Sequence, residues 1–257
     1  MLKDIIYDHA YTLDKGHKFL RELEKLGFTL NEQTVEHPGK AFCRFIMFSD
    51  PKRNLRQYLE FVDVRGKNQE RKRKSPGLSF RFLKSLESYY KKLKKKPSLR
   101  PKFNHKNYQW KENSKDRLPG WNFVDFNSIP TKSLYPWFTE YEPSPHRKKS
   151  PKKSAHPNGA YEIGTIEISV TPKVKGFFSD ILSTKIKDHL VLGNGVKIFF
   201  KASSKNRFER ILVRVKSLKR FEKFIGKTSL TVTKTSRGYL IHNPHKNPLM
   251  YDVEIVE

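Results

Sequence analysis

The sequence predicts an α+β fold made of two βαβββ modules, each a strand, a helix and three further strands, with a basic insert between them. Three observations support this fold. Strand and helix patterns follow that order over the first 64 residues, and the order returns after residue 159. A third is that much of the intervening stretch is rich in Pro, Lys and Ser, as connecting segments are. We therefore assign residues 1–64 to the first module, 65–158 to a partly ordered insert, and 159–257 to the second module with a C-terminal extension.

The first module begins with a strand over residues 5–13, which are rich in β-branched and aromatic side chains. A helix follows, for which Asp14 is the expected N-cap and Gly27 the expected left-handed C-cap. Three strands complete the βαβββ order, near residues 29–36, 42–48 and 57–64.

The insert carries weaker patterns. Segments 79–86 and 88–93 are consistent with a helix that ends before Pro97. Residues 121–126 alternate large apolar and polar side chains like a half-buried strand, and the clustered aromatic residues of 134–138 predict packing onto the scaffold. Irregular connections are expected elsewhere, at 97–106 and 143–157.

The strand pattern resumes in the second module. It predicts strands at 163–170, 190–192, 196–200 and 208–215, with a short helix near 173–183. Asn194-Gly195 between apolar runs is a strong hairpin signal. A helix and three strands then close the chain, at 218–225, 229–233, 239–242 and 251–256. This tail is either an extension or itself the completing unit, so two registers stay open.

The charge is concentrated in the middle of the chain. The net charge is +27, from 53 Lys and Arg against 26 Asp and Glu, and two thirds of the excess lies within residues 65–158. Basic runs at 71–74, 91–96 and 147–153 are interleaved with aromatic residues, an arrangement that suits phosphate contacts and base stacking. A solvated surface is the other interpretation. We therefore keep nucleic-acid binding through the insert, on a catalytically silent scaffold, as the alternative function.

Cysteine content and hydropathy favour a cytoplasmic protein without membrane association. The single cysteine, Cys43, excludes an internal disulfide framework and is expected to be a buried small hydrophobe. No window approaches the ~20 apolar residues of a membrane span, and the first residues lack a signal-peptide pattern.

Short motifs occur in a recognisable order along the chain: Asp8-His9-Ala10-Tyr11, Leu26-Gly27-Phe28, His37-Pro38-Gly39, the strand with Arg44, Tyr58-Leu59-Glu60-Phe61, and the HPNGA residues 156–160. In this order they resemble the vicinal oxygen chelate superfamily, and within it the glyoxalase-like domain proteins. The resemblance covers residues 5–64 well and 156–202 loosely. It implies that the paired modules form a cupped mixed β-sheet, whose concave side holds a divalent metal and a small substrate that chelates it through adjacent oxygens.

The resemblance also implies the residues of the site. His9, Glu60 and Glu167 are the implied metal ligands, with Glu209 or Glu254 as a fourth. Glu60 is the implied catalytic group, and His37 and Arg44 are implied to bind substrate. An imidazole nitrogen and carboxylate oxygens suit Zn, Mn, Fe or Ni. The competing interpretations are a hydrogen-bonded strand histidine for His9, a solvent-exposed side chain for Glu60, a structural role for Glu167 and a turn cap for His37.

Three functions follow. The first is a glyoxalase-like protein with a small-molecule site in the cup, either a metal-dependent lyase, isomerase or dioxygenase or a binding protein without catalysis. The second is nucleic-acid binding. The third is an interaction module, for which the cup is filled by large side chains. The first requires that His9 and Glu60 converge.

Overall fold

The computed structural model describes residues 2–31, 34–37, 41–50, 55–65, 75–107, 120–142, 155–245 and 250–257. These residues form fifteen strands and four α-helices in two mixed sheets. The elements are β1 (Ile5–Leu13), α1 (Lys18–Lys25), β2 (Val35–His37), β3 (Ala41–Asp50), β4 (Leu55–Val64), β5 (Gly77–Phe82), α2 (Leu86–Lys94), β6 (Pro101–Asn107), β7 (Gly120–Phe126), β8 (Tyr135–Tyr141), β9 (Ala160–Val170), α3 (Pro172–Ile181), β10 (His189–Val191), β11 (Lys197–Ala202), β12 (Arg207–Val215), α4 (Leu218–Ile225), β13 (Val232–Lys234), β14 (Gly238–Ile241) and β15 (Asp252–Val256).

The first sheet has eight strands in the order β2-β3-β4-β1-β5-β8-β7-β6. β1 and β5 are antiparallel neighbours at its centre, while β1 runs parallel to β4 and β5 parallel to β8. Each half is therefore one βαβββ unit. Helices α1 and α2 bury their apolar residues against one face of this sheet, among side chains such as Phe61 and Phe138. The opposite face is the first cup.

The second half of this sheet corrects the prediction of an insert. The stretch 65–158 contains β5, α2, β6, β7 and β8, a complete βαβββ unit that is continuous with the first one. Residues 77–82 form a strand instead of a helix because Leu78 and Phe80 face the core while they pair with β1, and the helix begins after its N-cap Ser85. The strand at 121–126 is confirmed, whereas 101–107 is a strand where an irregular connection was expected.

The basic runs of that stretch lie only partly within the structure. Residues 91–94 belong to α2, whose buried side chains Leu86, Tyr89 and Leu93 recur at helical spacing while its lysines face outward. The runs 71–74 and 147–153 lie outside the described residues.

The second sheet has seven strands in the order β10-β11-β9-β12-β15-β14-β13. Its central pair is β9 with β12, and the parallel pairs are β9 with β11 and β12 with β15. The chain from β12 onward is thus a unit of its own, which decides between the two registers left open by the sequence. The unit before it has two strands after its helix. The Asn194-Gly195 turn lies between β10 and β11 as predicted, with a φ of 84° at Gly195.

The two sheets share one hydrophobic core and several buried polar contacts. The Gln57 amide bonds both the N–H and the C=O of Ile163, and the Asn158 amide donates to the carbonyl of Leu26. Gly27 has a φ of 80°, and an added Cβ would press against Asn158, so the predicted C-cap is confirmed. None of the described helices has the length and apolarity needed to cross a membrane.

Candidate functional site in the first cup

His9 lies at the centre of the first cup with a carboxylate on each ring nitrogen. Its Nδ1 is 2.7 Å from Oδ2 of Asp8, and its Nε2 is 3.2 Å from Oε2 of Glu60. His9 is only 5% exposed, so both contacts lie away from water. The structure therefore brings together the imidazole of the first strand and the carboxylate of the fourth.

A β-bulge places Asp8 and His9 on the same side of the sheet. Successive residues of a regular strand point to opposite faces, so a contact between these two side chains needs an irregularity. The pairing of β1 with β5 shifts between Tyr7 and His9, which leaves Asp8 as the extra residue. The amide of Asn194 accepts from the N–H of Tyr7 and donates to its carbonyl, so the second sheet supports the bulge.

Tyrosine hydroxyls extend the polar centre. The hydroxyl of Tyr141 donates to Oδ2 of Asp8 at 2.6 Å, and it also lies 2.6 Å from the hydroxyl of Tyr58. The Tyr58 ring stacks on the imidazole of His9 with 4.3 Å between centroids. The ring of His9 is consequently fixed in orientation by a hydrogen bond at each nitrogen and a stacked aromatic face.

The surroundings of His9 favour its charged form. Burial opposes the positive charge, but hydrogen bonds and charge attraction from Asp8 and Glu60 outweigh that cost and raise the pKa of His9 to about 9. At neutral pH His9 is therefore an imidazolium held between Asp8 and Glu60, and Glu60 is the more exposed of these two partners, at 12% of its side chain against 3% for Asp8.

Aromatic side chains surround this centre. Trp137 meets His9 edge-on at 5.0 Å and Tyr11 at 5.5 Å between centroids. The absence of a side chain at Gly77 makes room for both rings, because an added Cβ would overlap with Tyr11 and Trp137. The other large side chains of this apolar cluster include Phe45, Phe123 and Tyr135.

Ser79 is an unsatisfied polar group in the cup. It pairs directly with His9 across β1 and β5, and it lies on the same face as Gly77 because residues two apart in a strand share a face. It is fully buried, and its Oγ has no hydrogen-bond partner among the described residues. Such a group is expected to be paired by something else, such as a ligand or water.

The structure separates Glu167 from His9. Glu167 lies on β9, in the face of the second sheet that is opposite α3 and α4, which we term the second cup. It forms ion pairs there with Lys201 and Arg210, both at 3.1 Å. Burial raises the pKa of Glu167, but the neighbouring cations outweigh this and hold it below its ordinary value. The predicted ligand set His9, Glu60 and Glu167 is therefore wrong, because the chain forms two sheets with a cup each.

The remaining predicted residues lie elsewhere. Glu254 is in the second cup with Glu167, and Glu209 is 3.6 Å from Arg207. Arg44 was implied to bind substrate, but it pairs with Phe61 on the helix side of the sheet and donates to the carbonyl of Asn31 at 2.9 Å. The backbone of His37 ends β2, while its side chain and residues 38–40 lie outside the described part of the chain. Cys43 is buried, as expected.

The donors in the first cup do not complete a metal site. Catalytic zinc sites use about three protein ligands. Within the described residues no three His, Cys, Asp or Glu side chains form such a group, and of the ligands implied by the sequence only His9 and Glu60 converge. Asp8 lies on the far nitrogen of His9, where it supports the ring instead of sharing a ligand position.

Several residues of the site were missed by the sequence analysis as functional groups. Trp137 and Tyr141 lie four residues apart on β8 and so share a face, and the aromatic cluster at 134–138 was the available signal for Trp137. Asp8 could be named from the sequence only as part of a motif, because the bulge that turns its side chain into the cup depends on pairing with residues far away in the sequence. Ser79 carried no signal.

No protein-family model matches the chain, and no curated protein matches it in sequence. Similar solved structures include a hypothetical protein from Staphylococcus aureus, with 12% identity and a TM-score of 0.64 over 98% of this chain and 100% of that one. Homoprotocatechuate 2,3-dioxygenase from Brevibacterium fuscum, in complex with 3,4-dihydroxyphenylacetate, is 11% identical, with a TM-score of 0.52 over 100% of this chain and 81% of that one. A mutant 4-hydroxymandelate synthase from Streptomyces coelicolor is 8% identical, with a TM-score of 0.52 over 99% and 92%. The chain therefore has the paired βαβββ fold of the glyoxalase and dioxygenase type, which vicinal oxygen chelate proteins share.

Proposed function

We propose that this protein is a glyoxalase-like small-molecule enzyme whose site is the first cup, with His9 and Glu60 as its proton donor and acceptor. The observation that carries the proposal is the 3.2 Å contact between His9 Nε2 and Glu60 Oε2 inside an aromatic enclosure. A buried charged pair is costly to maintain, and perturbed ionisable groups of this kind concentrate at functional sites.

The pair suits a substrate with neighbouring hydroxyl and carbonyl oxygens. An imidazolium donates a hydrogen bond to a carbonyl oxygen, and a carboxylate accepts one from a hydroxyl. A small planar molecule that reached both His9 and Glu60 would meet both groups at once, beside the aromatic rings of Trp137 and Tyr58. The orphaned Oγ of Ser79 offers one further polar contact on the same side.

The chemistry that follows is proton transfer next to a carbonyl group. Glu60 takes the proton from the carbon next to the carbonyl group, the electron pair of the broken C–H bond moves into the carbonyl group, and His9 stabilises the negative charge that develops on its oxygen. Asp8 is a positioning residue, because its bond to Nδ1 fixes the orientation of the ring. Two converging donors fall short of the ligand set that Zn, Mn, Fe or Ni would need, so the proposed chemistry uses no metal. A divalent metal stays a prediction of the sequence.

A panel of small catechols and α-hydroxy ketones tests the proposal. The panel includes 3,4-dihydroxyphenylacetate, the compound bound in the Brevibacterium fuscum structure. We expect at least one member to shift the NMR resonances of the His9 ring and to bind about tenfold more weakly to Glu60→Gln, as the loss of a charged hydrogen bond predicts. Glu87→Gln, at an exposed position of α2, is the matched control and leaves binding unchanged. A panel without any effect at His9, or equal affinity for Glu60→Gln, would contradict the proposal.

Metal analysis separates the two forms of the proposal. Protein purified without chelator is measured for bound divalent ions, together with His9→Ala. About one ion per chain, lost in His9→Ala, would replace the acid–base form by a metal-dependent one.

An interaction module is the second candidate, because His9, Tyr11 and Trp137 fill the cup with large buried side chains. It predicts that every compound of the panel leaves His9 unaffected while the protein stays folded. Nucleic-acid binding stays a prediction of the sequence.

A further inference from the structure

The second cup contains a compact cluster of five charged side chains. Oε2 of Glu167 forms ion pairs with Lys201 and Arg210 at 3.1 Å, and its Oε1 accepts from Arg237 at 3.3 Å. Glu254 accepts from Arg237 at 2.6 Å and from Arg210 at 3.2 Å. Three cations therefore share two carboxylates, and the cluster carries one uncompensated positive charge.

Burial within this cluster is layered. Glu254 is 0% exposed and Glu167 is nearly as buried, whereas the side chains of Lys201 and Arg237 are about half exposed. The carboxylates thus lie beneath the cations, and their ion pairs hold the cations at the surface. Because the guanidinium of Arg237 is held by both Glu254 and Glu167, little conformational freedom is left for it to lose when an anion binds.

The cations also retain unused hydrogen-bond donors. A lysine ammonium has three N–H groups and an arginine guanidinium five. The Nζ of Lys201 contacts Glu167, and the guanidinium of Arg210 uses Nε and Nη1 for its two carboxylates, so Nη2 of Arg210 has no partner among the described residues. A planar fork with free donors beside an ammonium is an arrangement that fits a carboxylate or another oxyanion.

An exposed aromatic ring lies next to these donors. Phe199 pairs in register with Glu167 across β11 and β9, so the two side chains share the face of the second cup. It is 36% exposed, and only one other large hydrophobic side chain, Leu83, is as exposed within the described part of the chain. The cluster therefore offers an apolar surface beside its positive charge.

The strand registers show that the two cups differ in polarity at equivalent positions. In the first cup His9 pairs with Tyr58, and Glu60 lies two residues further along β4. In the second cup Glu167 pairs with Phe199, and Lys201 lies two residues further along β11. The acid on β4 is thus replaced by a lysine on β11, which makes an anion the fitting ligand of the second cup.

We propose that the second cup is a binding site for a small organic anion, whose carboxylate lies on Lys201, Arg210 and Arg237 and whose apolar part lies on Phe199. This site is separate from the first cup, and it does not require the proposed chemistry at His9.

Phenylacetate is the probe, because it combines one carboxylate with an apolar ring. Binding is measured by calorimetry at low ionic strength, and the site is located by NMR shifts. We expect saturable binding that weakens about fivefold in Lys201→Gln and similarly in Phe199→Ser, as the loss of one half-exposed contact predicts. Arg237→Lys keeps the positive charge next to Glu254 but loses the planar guanidinium. We therefore expect phenylacetate to bind more weakly to this variant too.

The matched control is Lys197→Gln. Lys197 lies on the same strand and the same face as Lys201, so its removal changes the overall charge equally. An equal loss of affinity in Lys197→Gln would show that binding reflects general electrostatic attraction, and it would overturn the proposed site. Absence of saturable binding at millimolar phenylacetate would also overturn it, as would equally tight binding of inorganic phosphate with no effect of Phe199→Ser. Binding unchanged in His9→Gln separates this site from the first cup, and its loss there would refute the assignment.

Discussion

Raising the pH should destabilise the protein through one buried group, His9. Its pKa is about 9 in the folded chain and about 6.5 in an unfolded one. The folded protein therefore binds this proton more tightly, and the resulting stabilisation is fully present below pH 6.5 and disappears as the pH rises through 9.

The pKa difference gives the size of the effect. A shift of about 2.5 pKa units corresponds to about 3 kcal/mol of unfolding free energy. About half of this is expected to remain at pH 8 and almost none at pH 9.5. The conversion applies because His9 is buried among Asp8, Glu60 and Tyr58, where solvent screens little of the interaction.

Urea denaturation at constant ionic strength measures this dependence from pH 6.5 to pH 10. Lysines, tyrosines and the amino terminus also titrate in this range, so the informative quantity is the difference between the native protein and His9→Gln. We expect the variant to be less stable at pH 6.5 and to have a flatter profile, while His189→Gln, an exposed histidine, follows the native curve. Parallel curves for the native protein and His9→Gln, or a ring resonance of His9 that titrates near pH 6.5, would refute the reasoning.

Two further predictions concern supports of the first cup, and a third concerns the buried His156. Gly77→Ala should cost about 1–3 kcal/mol in urea denaturation, because the new methyl overlaps with the rings of Tyr11 and Trp137. Asn194→Ala removes two hydrogen bonds from the backbone at the bulge, so it should cost about 1–3 kcal/mol and lower the pKa of His9 as followed by NMR. Burial lowers the pKa of His156 to about 4 despite a bond to a backbone carbonyl, so its stabilisation is present above pH 6.5 and is lost as the pH falls to 4. We expect a loss of up to about 3 kcal/mol that is absent in His156→Gln.

The first unit was predictable because its signals are local. The helix ends at a glycine that needs a positive φ, and its strands alternate or are bounded by turn residues, so Gly27 and the strand containing Glu60 could be placed from neighbouring residues alone. The convergence of His9 and Glu60 followed from the resemblance. The bulge did not, because it depends on the pairing with β5 and on Asn194, which is 187 residues from Tyr7.

The second unit was predicted as an insert because its basic composition obscured the helical spacing of its apolar residues. The lysines of α2 lie on its outer side, while Leu86, Tyr89 and Leu93 form a buried stripe that the basic run obscures in the sequence. Glu167 and His9 occupy equivalent positions, since each lies on the first strand of a unit and pairs with an aromatic residue. It was wrong to place both in one cup, because the chain has four units and not two, and no local pattern reveals which units pair.

Both cups bury charged side chains, but the net charge of these side chains has the opposite sign in each cup. A charge held away from water needs compensation from its neighbours. In the first cup one cation, His9, is enclosed by the carboxylates of Asp8 and Glu60, which leaves an excess of negative charge once His9 is protonated. In the second cup two carboxylates are enclosed by three cations, which leaves an excess of positive charge. Because an added ligand must balance the charge that remains, we expect the first cup to favour hydrogen-bond donors such as hydroxyl groups and the second cup to favour carboxylates, so that the two proposed sites of one repeated fold would select ligands of different chemistry.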